Sequence, residues 1–137
     1  MENDVISKKM DSLQRCIKRI EEKIPENWDS IEEDYDLQDI LTVNLERAVQ
    51  LSVDIGLQIF VQINVKPPET MSEVFTILEE QKVLPSGVAE NLKKAVGFRN
   101  IAVHEYDEIN WEIVQSICTK HLKDFYQFMK AILNFEP

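Results

Sequence analysis

Apolar residues recur every three to four positions along nearly the whole chain, and only three glycines and five prolines punctuate its 137 residues. Side chains at i, i+3, i+4 and i+7 form one core-facing helical stripe, so the pattern calls for an all-α fold. The first helix is predicted over about Val5 to Ile24, with Ile6, Met10, Leu13, Cys16, Ile17 and Ile20 inward and Pro25 as its stop. A long second helix spans roughly Leu37 to Val65 on the stripe Leu37, Ile40, Leu41, Leu45, Ala48, Leu51, Ile55, Ile59 and Ile63. Val49, Val53, Leu57, Phe60 and Val61 make its later turns apolar on nearly every side. Such a helix wants burial on more than one face, which in a small protein points to a second chain.

Lys66-Pro67-Pro68 ends that helix, and Thr70-Met71-Ser72-Glu73 has the capping-box spacing that starts a third. The third helix carries Val74, Phe75, Ile77 and Leu78 and is expected to end near Leu84-Pro85. Ser86 is the expected cap of a fourth helix over Val88 to His104. Asn110 caps a fifth, Trp111 to Asn134, with Ile113, Val114, Ile117, Cys118, Leu122, Phe125, Phe128, Met129, Ile132 and Leu133 inward. Residues 26 to 36 hold Glu26, Asp29, Glu32, Glu33, Asp34 and Asp36 with no basic residue, and read as a solvated loop or single turn pinned by Trp28. The expectation is one domain over residues 1–137, an up-and-down bundle of about four main helices plus a short extra one.

Several function classes drop out. Gly56, Gly87 and Gly97 form neither GxGxxG nor GxxxxGK, so no dinucleotide fold or P-loop is expected. Cys16 and Cys118 make no CxxC pair, and two histidines cannot complete a structural zinc site; neither metal nor cofactor is expected. No apolar run reaches the ~18 residues a membrane span needs, and Met1-Glu2-Asn3-Asp4 lacks the basic, then apolar, start of a signal peptide. A cytoplasmic protein with no membrane partner is expected. With 15 Lys plus Arg against 25 Asp plus Glu, the net charge is −10. Such a body repels nucleic acid overall, so a DNA partner or a sequence-independent coat is not expected, and any anion must bind locally.

The local exception is Asn91 to His104, which contains Lys93, Lys94 and Arg99 and no carboxylate. There Arg99-Asn100-Ile101-Ala102-Val103-His104-Glu105-Tyr106 gathers four chemically capable side chains. Asn100 and His104 lie one turn apart on a shared face, and the helix is expected to unwind soon after. The group is expected to converge on a concave edge between the fourth and fifth helices. A histidine can take or give a proton at physiological pH, and a guanidinium fork matches phosphate oxygens. Asn100 can orient a ribose hydroxyl or the His104 tautomer, and Tyr106 can position a base or be modified. RNA needs no metal for cleavage by such a set, since its 2′-hydroxyl is the nucleophile once a base activates it. The same spacing also suits a core histidine and a packed tyrosine. Gly97, inside the helix, is expected to mark close backbone approach. His121, beside Lys120 and Lys123, reads as structural or surface.

Arg99-x4-His104-x-Tyr106 resembles the motif of HepT-like ribonuclease toxins of the HEPN superfamily. The flank Glu90-Asn91-Leu92-Lys93-Lys94-Ala95-Val96-Gly97-Phe98 is similar to theirs, as are Arg15-Cys16-Ile17-Lys18-Arg19-Ile20 and Asp36-Leu37-Gln38-Asp39. The resemblance implies a helical bundle that forms a two-fold homodimer, with one motif per chain facing a shared cleft. It implies a metal-independent endoribonuclease in which Arg99 and His104 are catalytic and Asn100, Lys93 and Lys94 support RNA binding. It also implies a nucleotidyltransferase-fold antitoxin, as in HepT/MntA-type systems, that transfers AMP to Tyr106 and silences the toxin. Two alternatives stay open: a non-catalytic subunit that binds nucleotide for a nucleotidyltransferase, and a purely structural helical dimer.

Overall fold

A computed structural model describes residues 4–137, and the Met1-Glu2-Asn3 start used above against a signal peptide lies outside the described residues. Six helical segments follow one another: α1 (Asp4–Lys23), α2 (Tyr35–Gln62), α3 (Met71–Glu80), α4 (Ser86–His104), α5 (Trp111–Ser116) and α6 (Leu122–Asn134). Single 3-10 turns, Trp28–Ser30 and Tyr106–Glu108, sit before α2 and after α4. Among the described residues there is no strand, and no helix is long and apolar enough to cross a membrane. The all-α bundle expected from periodicity is therefore observed, with α3 as the short extra helix.

The caps explain the boundaries. Asp34 accepts from the Leu37 amide at 3.1 Å and starts α2 two residues before the expected Leu37. Thr70 Oγ1 accepts from the Glu73 amide at 3.3 Å, and Asn110 Oδ1 from the Glu112 amide at 2.9 Å, as their spacing predicts. Ser86 is not a cap: Pro85 occupies that position without a side-chain bond, and Ser86 is the first helical residue. Asn64 (φ 57°) and Lys82 (φ 60°) take the left-handed conformation. There Val65 N–H donates to Phe60 O at 2.9 Å and Val83 N–H to Leu78 O at 2.8 Å, closing α2 at Gln62 and α3 at Glu80, earlier than expected.

The predicted fifth helix is broken into α5 and α6 by a π turn, Ile117–His121. A wider turn shifts the angular phase, so one stripe cannot hold on both sides of it. Ile113 and Leu133, expected inward, are 46% and 74% exposed, and Val61 of α2 is 75% exposed. The rest of the core is as expected: Leu13, Ile17, Ile20, Leu41, Ile55, Phe75 and Phe128 are fully buried, and the Phe75 and Phe128 rings meet edge to face at 6.1 Å. Gly97 is also corrected, since a Cβ there would meet nothing within 4 Å. The close approach is at Gly56, where a Cβ would lie 2.6 Å from Val74 Cγ1 and 3.0 Å from Leu78 Cδ1, so α2 and α3 touch through that glycine.

The acidic stretch is a loop with one 3-10 turn over residues 26–34, and its last two residues, Tyr35 and Asp36, open α2; the loop is half-buried at Trp28 and buried at Ile31, whose carbonyl accepts from Gln38 Nε2 at 2.8 Å. Buried Thr42 and Ser52 donate to Gln38 O and Ala48 O, each at 2.8 Å, one turn earlier. Among the described residues no buried side-chain polar atom is left unpaired.

Candidate functional site

Helix α4 ends where the motif ends. His104 is its last residue, and the Glu105 amide closes the helix by donating to Ile101 O at 2.8 Å. The chain then turns through Tyr106–Glu108, with Ile109 N–H donating to Tyr106 O at 3.1 Å. That turn swings the Tyr106 ring over the N-terminal part of α2. Its hydroxyl donates to Asp39 Oδ1 at 3.2 Å, and its ring meets Trp111 edge to face at 6.3 Å. Burial, the largest cause, raises the Tyr106 hydroxyl above the ordinary tyrosine range; a bond with Thr42 opposes it, and the charges of Asp39 and Glu46 add to it.

Arg99 also faces α2. The Glu46 carboxyl is raised by burial and drawn back first by Arg99 and then by Arg47, so all three groups share one electrostatic neighbourhood. Arg99 Nη1 donates to Asn100 Oδ1 at 3.3 Å. Asn100 thus engages Arg99, and no bond from it orients His104. Among the described residues neither Arg99 nor His104 has an ion-pair partner. The concave edge between the fourth and fifth helices is corrected accordingly: the motif lines the edge between α4 and α2, with α5 contributing only Trp111 at its start.

The lysines separate. Lys93 lies seven residues before Asn100 and so shares its face of α4, with its ammonium 3.4 Å from Glu90 Oε1. Lys94 turns the other way, into a small cleft against Ile113 and Ser116. Lys93 belongs with the motif's face, and Lys94 does not share it. His121 is structural as expected: its Nδ1 is 3.0 Å from Asp124 Oδ2, and buried Asp124 also accepts from Asn91 Nδ2 at 3.2 Å.

Sequence reasoning missed Asp39, Thr42 and Glu46 as members of this edge. Their signal was present, because polar residues at i, i+3 and i+7 interrupt an otherwise apolar helix on one stripe. What the sequence lacks is any mark that this stripe meets a motif some sixty positions later.

The arrangement is a half-buried guanidinium and an exposed imidazole in the last turns of one helix, with a tyrosine on the turn that follows bonded to Asp39 of α2. Comparisons with known proteins agree with the fold. The mRNA nuclease HepT of Shewanella oneidensis is 38% identical over 130 residues, spanning 95% of this chain and 97% of that protein. The solved tri-AMPylated Shewanella oneidensis HEPN toxin in complex with MNT antitoxin superposes with a TM-score of 0.91 at 36% identity, covering 98% of this chain and 100% of that one. A toxin–antitoxin crystal structure with AMP-PNP also gives a TM-score of 0.91 at 36% identity, over 97% and 100%. YutE, a cytosolic protein of unknown function from Bacillus subtilis, shares the fold at a TM-score of 0.80 and 16% identity, over 93% and 85%. Residues 13–132, nearly the whole bundle, match the ribonuclease HepT-like family, and the chain belongs to that family.

Proposed function

We propose that this chain is the toxin of a toxin–antitoxin pair, a metal-independent endoribonuclease that acts as a cytoplasmic, single-domain homodimer on cellular RNA. The observation that carries this is the availability of Arg99 and His104: in a chain of net charge −10, neither forms an ion pair among the described residues, and both stand in the last turns of one helix. The relative of 38% identity, matched over 97% of its length, is an mRNA nuclease.

In the proposed reaction, neutral His104 removes the proton from the ribose 2′-hydroxyl. The 2′-oxygen attacks the adjacent phosphorus, the bond from phosphorus to the 5′-oxygen breaks, and a 2′,3′-cyclic phosphate forms. The departing 5′-oxygen takes its proton from a protonated His104 of the second copy across the two-fold axis. Arg99 stabilises the charge that develops on the non-bridging oxygens, where a guanidinium fork fits two oxygens at once. Asn100 holds Arg99 by the bond described above, and Lys93 extends the positive field along the same face.

Tyr106 is the proposed acceptor for silencing. Its oxygen attacks the α-phosphorus of ATP on a nucleotidyltransferase antitoxin, pyrophosphate leaves, and the hydroxyl proton is lost to base. The added phosphate places negative charge beside Arg99 and blocks the RNA path. A HEPN toxin of 36% identity is itself tri-AMPylated and bound to an MNT antitoxin.

The test is RNA cleavage by Arg99→Ala and His104→Ala prepared without antitoxin. Both should lose cleavage while remaining dimeric by light scattering. Cleavage retained in both would contradict the nuclease assignment. Loss of nucleotide binding, with no cleavage by unmodified wild type, would favour the nucleotide-binding subunit.

A further inference from the structure

We infer that the groove between α1 and α2 is a track for the RNA backbone beyond the cleavage edge, with Arg15, Arg19 and Arg47 as its phosphate contacts. This rests on the nuclease reading and extends it to a site on another pair of helices. The groove encloses about 570 Å³, and Arg15, Arg19, Arg47, Ser12, Asn44 and Gln50 line it without a carboxylate among them. Arg15 and Arg19 are four residues apart and so share one face of α1, while Arg47 reaches the same space from α2.

In a chain with 25 acidic and 15 basic residues, a groove with three arginines and no carboxylate among its described lining residues runs against the overall balance. Among the described residues none of the three arginines has an ion-pair partner, although farther along the same helices Lys9 pairs with Asp54 at 3.4 Å. Like charges held together this way repel one another in the free protein, and a polyanion relieves the repulsion. Their closeness shows at Cys16, a lining residue whose thiol is raised by burial and drawn back by Arg47 and then Arg15.

The groove adjoins the motif through α2. Glu46 lies next to Arg47 in α2 and its carboxyl is drawn down by Arg99 and then by Arg47, so the two basic regions approach each other along α2. A strand cut at Arg99 and His104 needs only to cross α2 to enter the groove. The lining suits RNA better than a protein. Guanidinium forks match phosphate oxygens, while the Asn44 and Gln50 amide nitrogens already donate to Ile40 O at 2.8 Å and Asp54 Oδ1 at 3.0 Å, which leaves the three arginines as the phosphate contacts. Its apolar lining is half-buried Leu51 and buried Cys16, with no aromatic anchor of the kind that dominates protein interfaces among its described lining residues.

The experiment compares wild type, Arg15→Gln/Arg19→Gln/Arg47→Gln, and the control Lys120→Gln/Lys123→Gln/Lys130→Gln, which removes equal charge from exposed positions between Lys120 and Lys130. Circular dichroism checks that each folds. Affinity for a long and a short oligoribonucleotide sharing one sequence is read by fluorescence anisotropy across a salt series, in a His104→Ala background so that cleavage does not intervene. The arginine variant should bind the long RNA roughly tenfold more weakly at low salt and lose about two from its log–log salt slope, at about 0.7 per single-strand phosphate contact. The short RNA should change less, and the lysine control should follow wild type. An unchanged salt slope in the arginine variant overturns the inference. So does a variant that keeps its RNA affinity while losing antitoxin, which would make the groove a protein surface. Failure of wild type to cleave RNA would instead count against the nuclease reading, because binding is measured independently of it.

Discussion

The Tyr106 hydroxyl donates to Asp39 Oδ1 at 3.2 Å, tying the turn after α4 to the first turns of a helix 67 residues earlier in the chain. This bond fixes where the motif's third member stands relative to Arg99. Burial first, and then the bond to Asp39 and its charge, raise the tyrosine hydroxyl above its ordinary value.

Asp39→Asn should therefore lower the Tyr106 titration toward the ordinary range without fully restoring it, because burial is the larger cause and stays. Tyrosinate absorbance in a Tyr35→Phe/Tyr126→Phe background reads the change from one ring. The expected stability loss is small, about 1 kcal/mol, for one exposed hydrogen bond. A titration that does not move would contradict the pairing.

Tyr106→Phe should leave the nuclease refractory to its antitoxin. Co-expression followed by intact-mass measurement should show AMP-sized additions on wild type and none on the variant. Additions on the variant equal to those on wild type would place the modification elsewhere.

Two glycines should respond oppositely to alanine. At Gly56 a Cβ would press on Val74 and Leu78 side chains in the α2–α3 contact, costing about 1–3 kcal/mol. At Gly97 it would meet nothing within 4 Å, so alanine should stabilise α4 by about 0.5–1 kcal/mol. Urea midpoints at fixed protein concentration measure both. A destabilised Gly97→Ala would put that face of α4 against a second chain.

Stability should fall in alkali. Burial pushes the Cys118 thiol from 9.0 to about 12, and burial with the 2.8 Å bond to Glu21 pushes Tyr126 from 10.0 to about 12. Each folded pKa lies above its unfolded value, so the contribution is complete below the unfolded pKa and vanishes as pH rises through the folded one. The decline should run from about pH 9 to pH 12, and Tyr126→Phe should flatten its upper part. A stability flat to pH 12 would contradict both shifts.

Much of this was legible in the sequence because local chemistry decided it. Thr70 and Asn110 cap helices wherever they stand before an apolar period, and the core stripes of α1 and α2 follow from spacing alone. The corrections come from effects without a local signature. Ser86 is a good cap by type, but Pro85 already holds the extended conformation a cap requires. The π turn at Ile117–His121 leaves no mark in residue type, so Ile113 before it and Leu133 after it were assigned to one stripe that the turn does not keep in phase. Arg99 and His104 could be picked out by type and spacing, whereas Asp39 and Glu46 join them only through packing of α2 against α4.

The most direct measurement is incubation of antitoxin-free protein with total RNA in excess EDTA, beside His104→Ala, with intact mass recorded on the same samples. The account predicts that unmodified wild type cuts RNA to 2′,3′-cyclic or 3′-phosphate and 5′-hydroxyl ends, and that His104→Ala does not. An unmodified wild-type protein that leaves RNA intact, or a His104→Ala protein that cuts as wild type does, would contradict it.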